Sequence, residues 1–120
     1  MSYQSVFKPQ MLDQQTIIVT GGGSGIGRCT AHELASLGAQ VVIVGRSEGK
    51  LKTVQAEIEE LGGKVSCQVC DIRDEAAVKE LIATVIRTYG GIYGLVNNAG
   101  GQYPSTISNL SLKGWEAVIR

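Results

Sequence analysis

TIIVTGGGSGIG, residues 16–27, is the stretch that decides the fold of this chain. The residues from Thr16 to Thr20 are apolar or β-branched, which is typical of a buried strand, and they end at a cluster of glycines. Apolar residues then recur every three or four positions as far as Gly38, which predicts a helix directly after the glycines. The residues of that predicted apolar stripe are Ile26, Cys29 or Thr30, Leu34 and Leu37.

The alternation of strand and helix continues as far as residue 96. An aliphatic strand is predicted over Val41–Val44, and the alternating segment Val65–Val69 predicts a less covered strand at a sheet edge. Asp74 is predicted to cap a third helix, and a fourth strand is predicted over Ile92–Val96. Four strands that alternate with three helices predict an α/β fold with a parallel sheet. The apolar faces of the second and third helices are Leu51, Val54, Ile58 and Leu61, and Val78, Leu81, Ile82, Val85 and Tyr89.

Composition and charge narrow the class of protein. The chain has 120 residues, and its 11 lysines and arginines balance 11 aspartates and glutamates. Without a basic excess, neither nucleic acid nor an anionic membrane surface is indicated as a partner. The aliphatic run Val41–Val44 is far shorter than the roughly 20 residues that span a bilayer. Residues 1–10 lack the apolar core of a secretory signal, and the three cysteines do not suggest a disulfide framework, so we expect a soluble cytoplasmic protein.

The glycine cluster between the first strand and the first helix favours an anion-binding turn. Glycine lets the backbone approach a phosphate closely, while the free N–H groups and the positive dipole end of the helix attract its charge. A P-loop is excluded because Gly22 and Gly27, which have its spacing, are followed by Arg28 and Cys29 rather than by Lys and Ser or Thr. A cofactor that carries a diphosphate is the ligand that this turn predicts.

The spacing T-G-x-x-x-G-x-G from Thr20 to Gly27 differs from the G-x-G-x-x-G dinucleotide motif. In this spacing the chain resembles the short-chain dehydrogenase/reductase family. Two further matches carry the resemblance: Asn97-Asn98-Ala99-Gly100 after the fourth strand, and Asp71 after the third, where family members carry an acidic residue beside the cofactor adenine. The resemblance implies a Rossmann-like, doubly wound parallel sheet with strand order 3-2-1-4. Residues 1–120 would then form the amino-terminal, cofactor-binding portion of a single domain.

The end of the second strand indicates which nicotinamide cofactor is used. Folds that select NAD place an acidic residue there for the ribose 2′-hydroxyl, whereas an arginine suits the 2′-phosphate of NADP. Here Gly45 takes the acidic place and Arg46 follows it, so we expect NADP(H) in preference to NAD. The topology and the family resemblance together give the expected cofactor-binding residues: Thr20, Gly21, Gly23, Ser24, Gly25, Ile26, Gly27, Arg46, Asp71, Ile72, Asn98, Ala99 and Gly100.

No catalytic residue is assigned within the chain. Hydride transfer to a carbonyl leaves an alkoxide that needs a proton from a general acid. For this step the resemblance implies a Tyr and a Lys four positions apart, with a Ser upstream and an Asn nearer the amino end. None of Tyr3, Tyr89, Tyr93 and Tyr103 is followed by lysine at the fourth position. The catalytic residues are therefore expected beyond Arg120, and the isolated chain is expected to show weak or absent turnover.

The segment after the fourth strand bears on the substrate. Asn98-Ala99-Gly100-Gly101-Gln102-Tyr103, with Ser105 and Lys113-Gly114-Trp115, resembles the family branch of peroxisomal-type trans-2-enoyl-CoA reductases and related bacterial enzymes. Gln102 and Tyr103 are candidates for the substrate pocket, with plain loop packing as the alternative. The resemblance implies a homo-oligomeric oxidoreductase, a dimer or tetramer, that acts on an enoyl-CoA or on an alcohol/carbonyl pair. The alternative is a non-catalytic dinucleotide-binding sensor or interaction module.

Three other features favour structural roles. Cys67 and Cys70 have C-x-x-C spacing, but no second pair completes a zinc site, so neutral packing is expected and no metal site is assigned. His32, the single histidine, is expected to have a surface or packing role. A solvated helix face is expected for the glutamates of the second helix: Glu57, Glu59 and Glu60.

Overall fold

Strands and helices alternate along residues 4–98, the part of the chain that this computed structural model describes. The strands are β1 (Thr16–Thr20), β2 (Gln40–Gly45), β3 (Lys64–Val69) and β4 (Gly94–Val96). The helices are α1 (Gly25–Ser36), α2 (Glu48–Glu60) and α3 (Glu75–Tyr89). Four residues predicted to take part in a site lie outside the described residues: Ala99, Gly100, Gln102 and Tyr103.

The four strands form one parallel sheet in the order β3-β2-β1-β4. In the middle of β1, Ile18 lies opposite Val42 of β2 on one side and opposite Leu95 of β4 on the other. The predicted α/β fold and strand order are confirmed, and so is the place of β3 at an edge of the sheet. β4 is shorter than predicted: its register with β1 covers Gly94–Val96, Tyr93 N donates a single hydrogen bond of 2.8 Å to Thr16 O, and Ile92 packs against the cluster of α3.

Successive strand residues point to opposite faces of the sheet, and a buried cluster forms on each face. In β1, Ile17 and Val19 share a cluster with residues of α1 and α2, whereas Ile18 belongs to the cluster of α3. β2 alternates in the same way, with Ile43 in the first cluster and Val44 in the second. Helices therefore cover both faces, and the sheet is doubly wound. Each fully buried aliphatic side chain of this kind contributes roughly 1.5–3 kcal/mol to folding.

The apolar stripe predicted for α1 is correct only in part: Leu34 packs against the cluster of α1 and α2 and Leu37 is buried, but the start of the stripe lies on the wrong face of the helix. Ile26 is 76% exposed and Cys29 is exposed, whereas the buried residues of the helix are Gly27, Ala31 and Ala35. These three residues recur at four-residue steps, which places them on one face. Their small size lets α1 lie close to the sheet. A periodicity of large apolar residues misses a buried face that consists of glycine and alanine.

The ends of α3 follow local signals in the sequence. Asp74 Oδ1 accepts a hydrogen bond of 3.2 Å from Ala77 N, so the predicted cap is confirmed. Gly90 ends the helix in the left-handed conformation, with a φ of 87°. None of the helices within residues 4–98 has the length and apolarity that a membrane crossing requires.

Candidate functional site

The chain turns from β1 into α1 through glycines that are held against the end of β2. Gly21 N and Gly22 N both donate to Val44 O, at 2.8 Å and 3.4 Å. Gly21 has a φ of 69°, in the left-handed region that glycine adopts without strain. A Cβ on Gly22 would come within 2.7 Å of the Ile43 side chain. The turn therefore needs glycine both for its conformation and for its packing against β2.

The last glycine of the motif lets α1 begin directly against this turn. A Cβ on Gly27 would come within 2.0 Å of Gly21 O and 2.6 Å of Asn98 Nδ2, so a larger residue requires movement of the backbone. The outer side of the helix start is open. Within the described part of the chain, a Cβ on Gly25 would meet nothing within 4 Å, and Ile26 is 76% exposed. Among residues 4–98, nothing therefore covers the outer side of the first turn of α1 beside Gly25, at the carboxyl edge of the sheet.

α1 differs from the other two helices in what its own side chains provide for the free N–H groups at its amino terminus. The side chain of Ser47 caps α2 by accepting a hydrogen bond from Lys50 N, and the side chain of Asp74 caps α3. Each of these two helices also has a glutamate in its first turn. At α1 the side chain of Ser24 makes no cap hydrogen bond, and the first turn has no acidic residue, within the described residues 4–98. The first-turn N–H groups of a helix carry the positive end of its dipole and attract phosphate. This helix terminus is therefore suited to an anionic ligand.

Thr20 joins the end of β1 to the segment after β4. Its Oγ1 accepts a hydrogen bond of 3.0 Å from Asn98 N and lies 3.4 Å from Val96 O, to which it donates. The side-chain Nδ2 of Asn98 lies 3.5 Å from Gly21 O in the glycine turn. Hydrogen bonds of this kind contribute about 0.5–1.5 kcal/mol each. They fix Asn98, a predicted cofactor-binding residue, beside the amino terminus of α1.

Arg46 and Asp71 follow neighbouring strands and lie on the same edge of the sheet. Cys70 N donates to Gly45 O at 2.9 Å, which holds the end of β3 against the end of β2. Arg46 is exposed, as expected for a residue that would contact a ligand from solvent. Since the strands are parallel, the structure brings these two predicted residues to the edge that also carries the glycine turn and Asn98.

Sequence reasoning missed Arg73, which pairs with Asp71. Arg73 N and Nε donate to Asp71 Oδ1 at 3.0 Å and 3.1 Å, and Arg73 Nη2 donates to Oδ2 at 3.1 Å. These bonds lower the pKa of Asp71 to about 2, and the positive charge of Arg46 adds a smaller effect. Ile72, between the pair, packs partly against the buried cluster of α3. The two residues lie in the loop between β3 and α3, where neither helix nor strand periodicity applies; the tendency of aspartate to accept from the backbone two residues on is a signal for the bond from Arg73 N but not for the bonds from its guanidinium.

Glu57 of α2 pairs with two residues of α1. Arg28 Nε donates to Glu57 Oε1 at 2.9 Å, and Arg28 Nη2 bonds Oε2. His32 Nε2 lies 3.0 Å from Glu57 Oε1. The hydrogen bonds from Arg28 and His32 lower the pKa of Glu57. The expectation of a merely solvated position is therefore wrong for Glu57, because its partners lie on another helix, whereas Glu59 and Glu60 are exposed.

The two cysteines of the C-x-x-C segment belong to opposite faces of the sheet. Cys67 packs against the cluster of α1 and α2, with Sγ 3.1 Å from Gln55 Oε1, whereas Cys70 is buried in the cluster of α3. Burial raises the pKa of both thiols. Residues 4–98 contain no group of three or more His, Cys, Asp or Glu side chains arranged to hold a metal ion. Both cysteines therefore pack with the buried clusters, as expected.

Comparison with known proteins agrees with this architecture. The family model described as short chain dehydrogenase matches residues 15–120. A protein of Bacillus subtilis named as a probable 2,4-dienoyl-CoA reductase is 33% identical over 108 residues, which are 90% of this chain and 42% of that protein.

Solved structures are similar over almost the whole chain. A citronellol catabolism dehydrogenase of Pseudomonas aeruginosa is 59% identical with a TM-score of 0.90, over 97% of this chain and 47% of that one. A metagenomic short-chain oxidoreductase, in complex with NADP, is 36% identical with a TM-score of 0.83, over 90% of this chain and 49% of that one. The chain thus spans less than half the length of each of these proteins. On the motif, the topology and these matches together, the chain belongs to the short-chain dehydrogenase family.

Proposed function

We propose that the intact protein is an NADP(H)-dependent oxidoreductase and that this chain supplies its dinucleotide-binding portion. The observation that carries the proposal is the amino terminus of α1. It follows a glycine turn, faces open space, and has neither a side-chain cap nor a first-turn carboxylate within residues 4–98. A diphosphate would provide the negative charge and the acceptor oxygens that this terminus needs.

The residues present fit a dinucleotide. Gly27 packs α1 closely against Gly21 O of the glycine turn, and the space beside Gly25 among residues 4–98 leaves room for a diphosphate at the first turn of α1. Asn98 is held beside this turn by Thr20, and Asp71 lies further along the same edge. When bound, the nicotinamide group supplies or accepts a hydride. The residues of this chain bind and orient the cofactor, including Ala99 and Gly100 at the end of the Asn-Asn-Ala-Gly motif.

Selection of NADP(H) over NAD(H) is assigned to Arg46. Its exposed guanidinium follows Gly45, where an acidic residue would favour the ribose 2′-hydroxyl of NAD. A guanidinium offers planar, paired donors that match a phosphate group. The NADP complex of the similar metagenomic oxidoreductase supports this assignment.

The proposed substrate is a small molecule with a reducible group, either an enoyl-CoA or an alcohol/carbonyl pair. Relatives named as a probable dienoyl-CoA reductase and as a citronellol catabolism dehydrogenase support both possibilities. Gln102 and Tyr103 are proposed to line the substrate pocket.

We also propose that the intact protein is a soluble, cytoplasmic homo-oligomer, a dimer or tetramer. Its proton donor is proposed to lie beyond Arg120. The oxidoreductase names of the relatives favour this function over a non-catalytic sensor.

Steady-state kinetics of the intact protein test the proposal. NADPH absorbance is followed with a trans-2-enoyl-CoA, a ketone and, in the reverse direction with NADP, an alcohol. We expect saturable turnover with one of these substrate classes. Tight NADPH binding without turnover on any of them would instead support the sensor function, and absence of NADPH binding would overturn both.

A further inference from the structure

We propose that Glu57 is a positioning residue for the cofactor site. By bonding Arg28 and His32 of α1, it fixes α2 against α1 and thereby sets the distance between the glycine turn and Arg46. The inference rests on the proposed function, because it assumes that the glycine turn holds the diphosphate and that Arg46 holds the 2′-phosphate. Glu57 would act through α2 and would not touch the cofactor.

The Glu57 carboxylate joins the two helices through both of its oxygens. Oε1 accepts from Arg28 Nε at 2.9 Å and lies 3.0 Å from His32 Nε2, while Oε2 accepts from Arg28 Nη2. Arg28 and His32 are four positions apart, so they lie on one face of α1. Paired bonds from a guanidinium restrict the orientation of a carboxylate as well as its distance. These contacts therefore define the position of Glu57 relative to α1.

The α1 end of this link lies next to the glycine turn. Arg28 follows Gly27, whose position would bring a Cβ within 2.0 Å of Gly21 O in that turn. Arg28 N also donates to Ser24 O at 3.2 Å, which closes the first turn of the helix. The guanidinium that bonds Glu57 is thus carried by the same backbone segment that would hold the diphosphate.

The α2 end of the link reaches both parts of the proposed site through Leu51. This side chain is 1% exposed, and its Cδ2 would lie 3.5 Å from a Cβ on Gly23 and 3.4 Å from a Cβ on Gly45. Gly23 belongs to the glycine turn, and Gly45 precedes Arg46. One residue of α2 is therefore packed against both, so a shift of α2 relative to α1 changes their separation.

Apolar packing defines the position of α2 less sharply than these bonds do. The buried residues of α2 are Leu51, Val54 and Ile58. Apolar burial is non-directional, so a helix that slides or turns slightly keeps most of it. Hydrogen bonds depend steeply on distance and angle. Since the side chain of Glu57 is 29% exposed, its bonds contribute more to the geometry of the helix pair than to the stability of the fold.

Two ligands of different reach test this role. NADPH spans the glycine turn and Arg46, whereas adenosine 2′-monophosphate carries the 2′-phosphate and lacks the diphosphate. We expect Glu57→Gln to weaken NADPH binding by the intact protein about fivefold and to change the affinity for adenosine 2′-monophosphate less than about twofold, as measured by NMR titration. A merely structural role would weaken the binding of both ligands alike.

Charge makes the direction of the effect diagnostic. If charge alone acted, removal of a carboxylate would strengthen the binding of an anion. The matched control is Glu59→Gln, which removes the same charge from an exposed position of α2 and should leave NADPH affinity unchanged or slightly higher. Arg28→Lys keeps the positive charge without the paired donors and should lose part of the NADPH affinity. Combined with Glu57→Gln it should cause little further loss, because both variants remove the same link.

Each outcome decides the role of Glu57. Unchanged or tighter NADPH binding by Glu57→Gln overturns it and leaves the proposed function intact. Equal losses for both ligands, or a wild type that binds NADPH but not adenosine 2′-monophosphate, overturn it as well. If Glu57→Gln does not fold, Arg28→Lys decides with the same two ligands. Failure of the wild type to bind NADPH overturns the proposed function with it.

Discussion

Asn98 N and Thr20 Oγ1 are joined by a hydrogen bond of 3.0 Å that ties the segment after β4 to the last residue of β1. Thr20 is 6% exposed, so this bond lies in a largely water-free environment, where an unmade hydrogen bond is costly. The glycine turn begins at the next residue. The Thr20 hydroxyl, together with the contact of Asn98 Nδ2 with Gly21 O, therefore fixes the position of Asn98 relative to the glycine turn.

Replacement of Thr20 tests this link. Thr20→Val keeps the shape but leaves Asn98 N without its acceptor, so we expect a loss of about 1–3 kcal/mol in the free energy of unfolding. NADPH affinity should fall with it. Thr20→Ser, which retains the hydroxyl, should lose less of both. Urea unfolding and fluorescence titration with NADPH give the two values, and a Thr20→Val protein as stable as Thr20→Ser would contradict the assignment.

A methyl group at Gly27 should disrupt the packing of α1. Its Cβ would lie 2.0 Å from Gly21 O, a backbone atom that cannot move independently of the turn. Gly27→Ala should therefore destabilise the protein by about 1–3 kcal/mol or more and weaken NADPH binding. The matched control is Gly49→Ala in α2, where a Cβ would meet nothing within 4 Å among the described residues and alanine favours the helix by about 0.5–1 kcal/mol. Similar melting temperatures for Gly27→Ala and Gly49→Ala would contradict the close approach of Gly27 to Gly21 O.

A negative charge at the start of α1 should raise the stability of the protein but weaken its binding of NADPH. Ser24→Asp supplies the cap that this helix lacks within residues 4–98, so it should raise the free energy of unfolding by about 0.5–1 kcal/mol. The same charge would oppose a diphosphate, and we expect NADPH affinity to fall about tenfold. Ala76→Asp, in the exposed first turn of α3, adds an equal charge at another helix start and should change affinity much less. Unchanged NADPH affinity in Ser24→Asp would place the diphosphate elsewhere.

Arg73 should determine the titration of Asp71. The folded-state pKa of Asp71 is about 2, below the ordinary value of 3.8, so the stabilisation from the pair is complete above pH 3.8 and is lost as the pH falls towards 2. In Arg73→Gln the pKa should rise towards 3.8, with only the weaker influence of Arg46 remaining. The carboxyl carbon shift of Asp71, followed by NMR, measures both values. A pKa near 3.8 in the wild type would refute the pairing in solution.

The fold could be predicted from the sequence because its signals are local. Aliphatic runs such as Val41–Val44 predict buried strands, and the alternation with helices implies a parallel sheet. Candidate site residues could be named from the sequence only where a motif or a strand end marks them, as at Gly27 and Arg46, and their role in binding a cofactor stays a prediction. The pairing of Glu57 with Arg28 could not, because these residues are 29 positions apart and only the packing of α1 on α2 brings them together.

We propose that this chain is the NADP(H)-selective binding portion of an oxidoreductase. The most direct measurement is the dissociation constant of the intact protein for NADPH and for NADH, determined by calorimetry under the same conditions. Because a guanidinium at Arg46 would pair with the 2′-phosphate, we predict that NADPH binds at least about tenfold more tightly. Equal affinity for the two cofactors, or tighter binding of NADH, would contradict it.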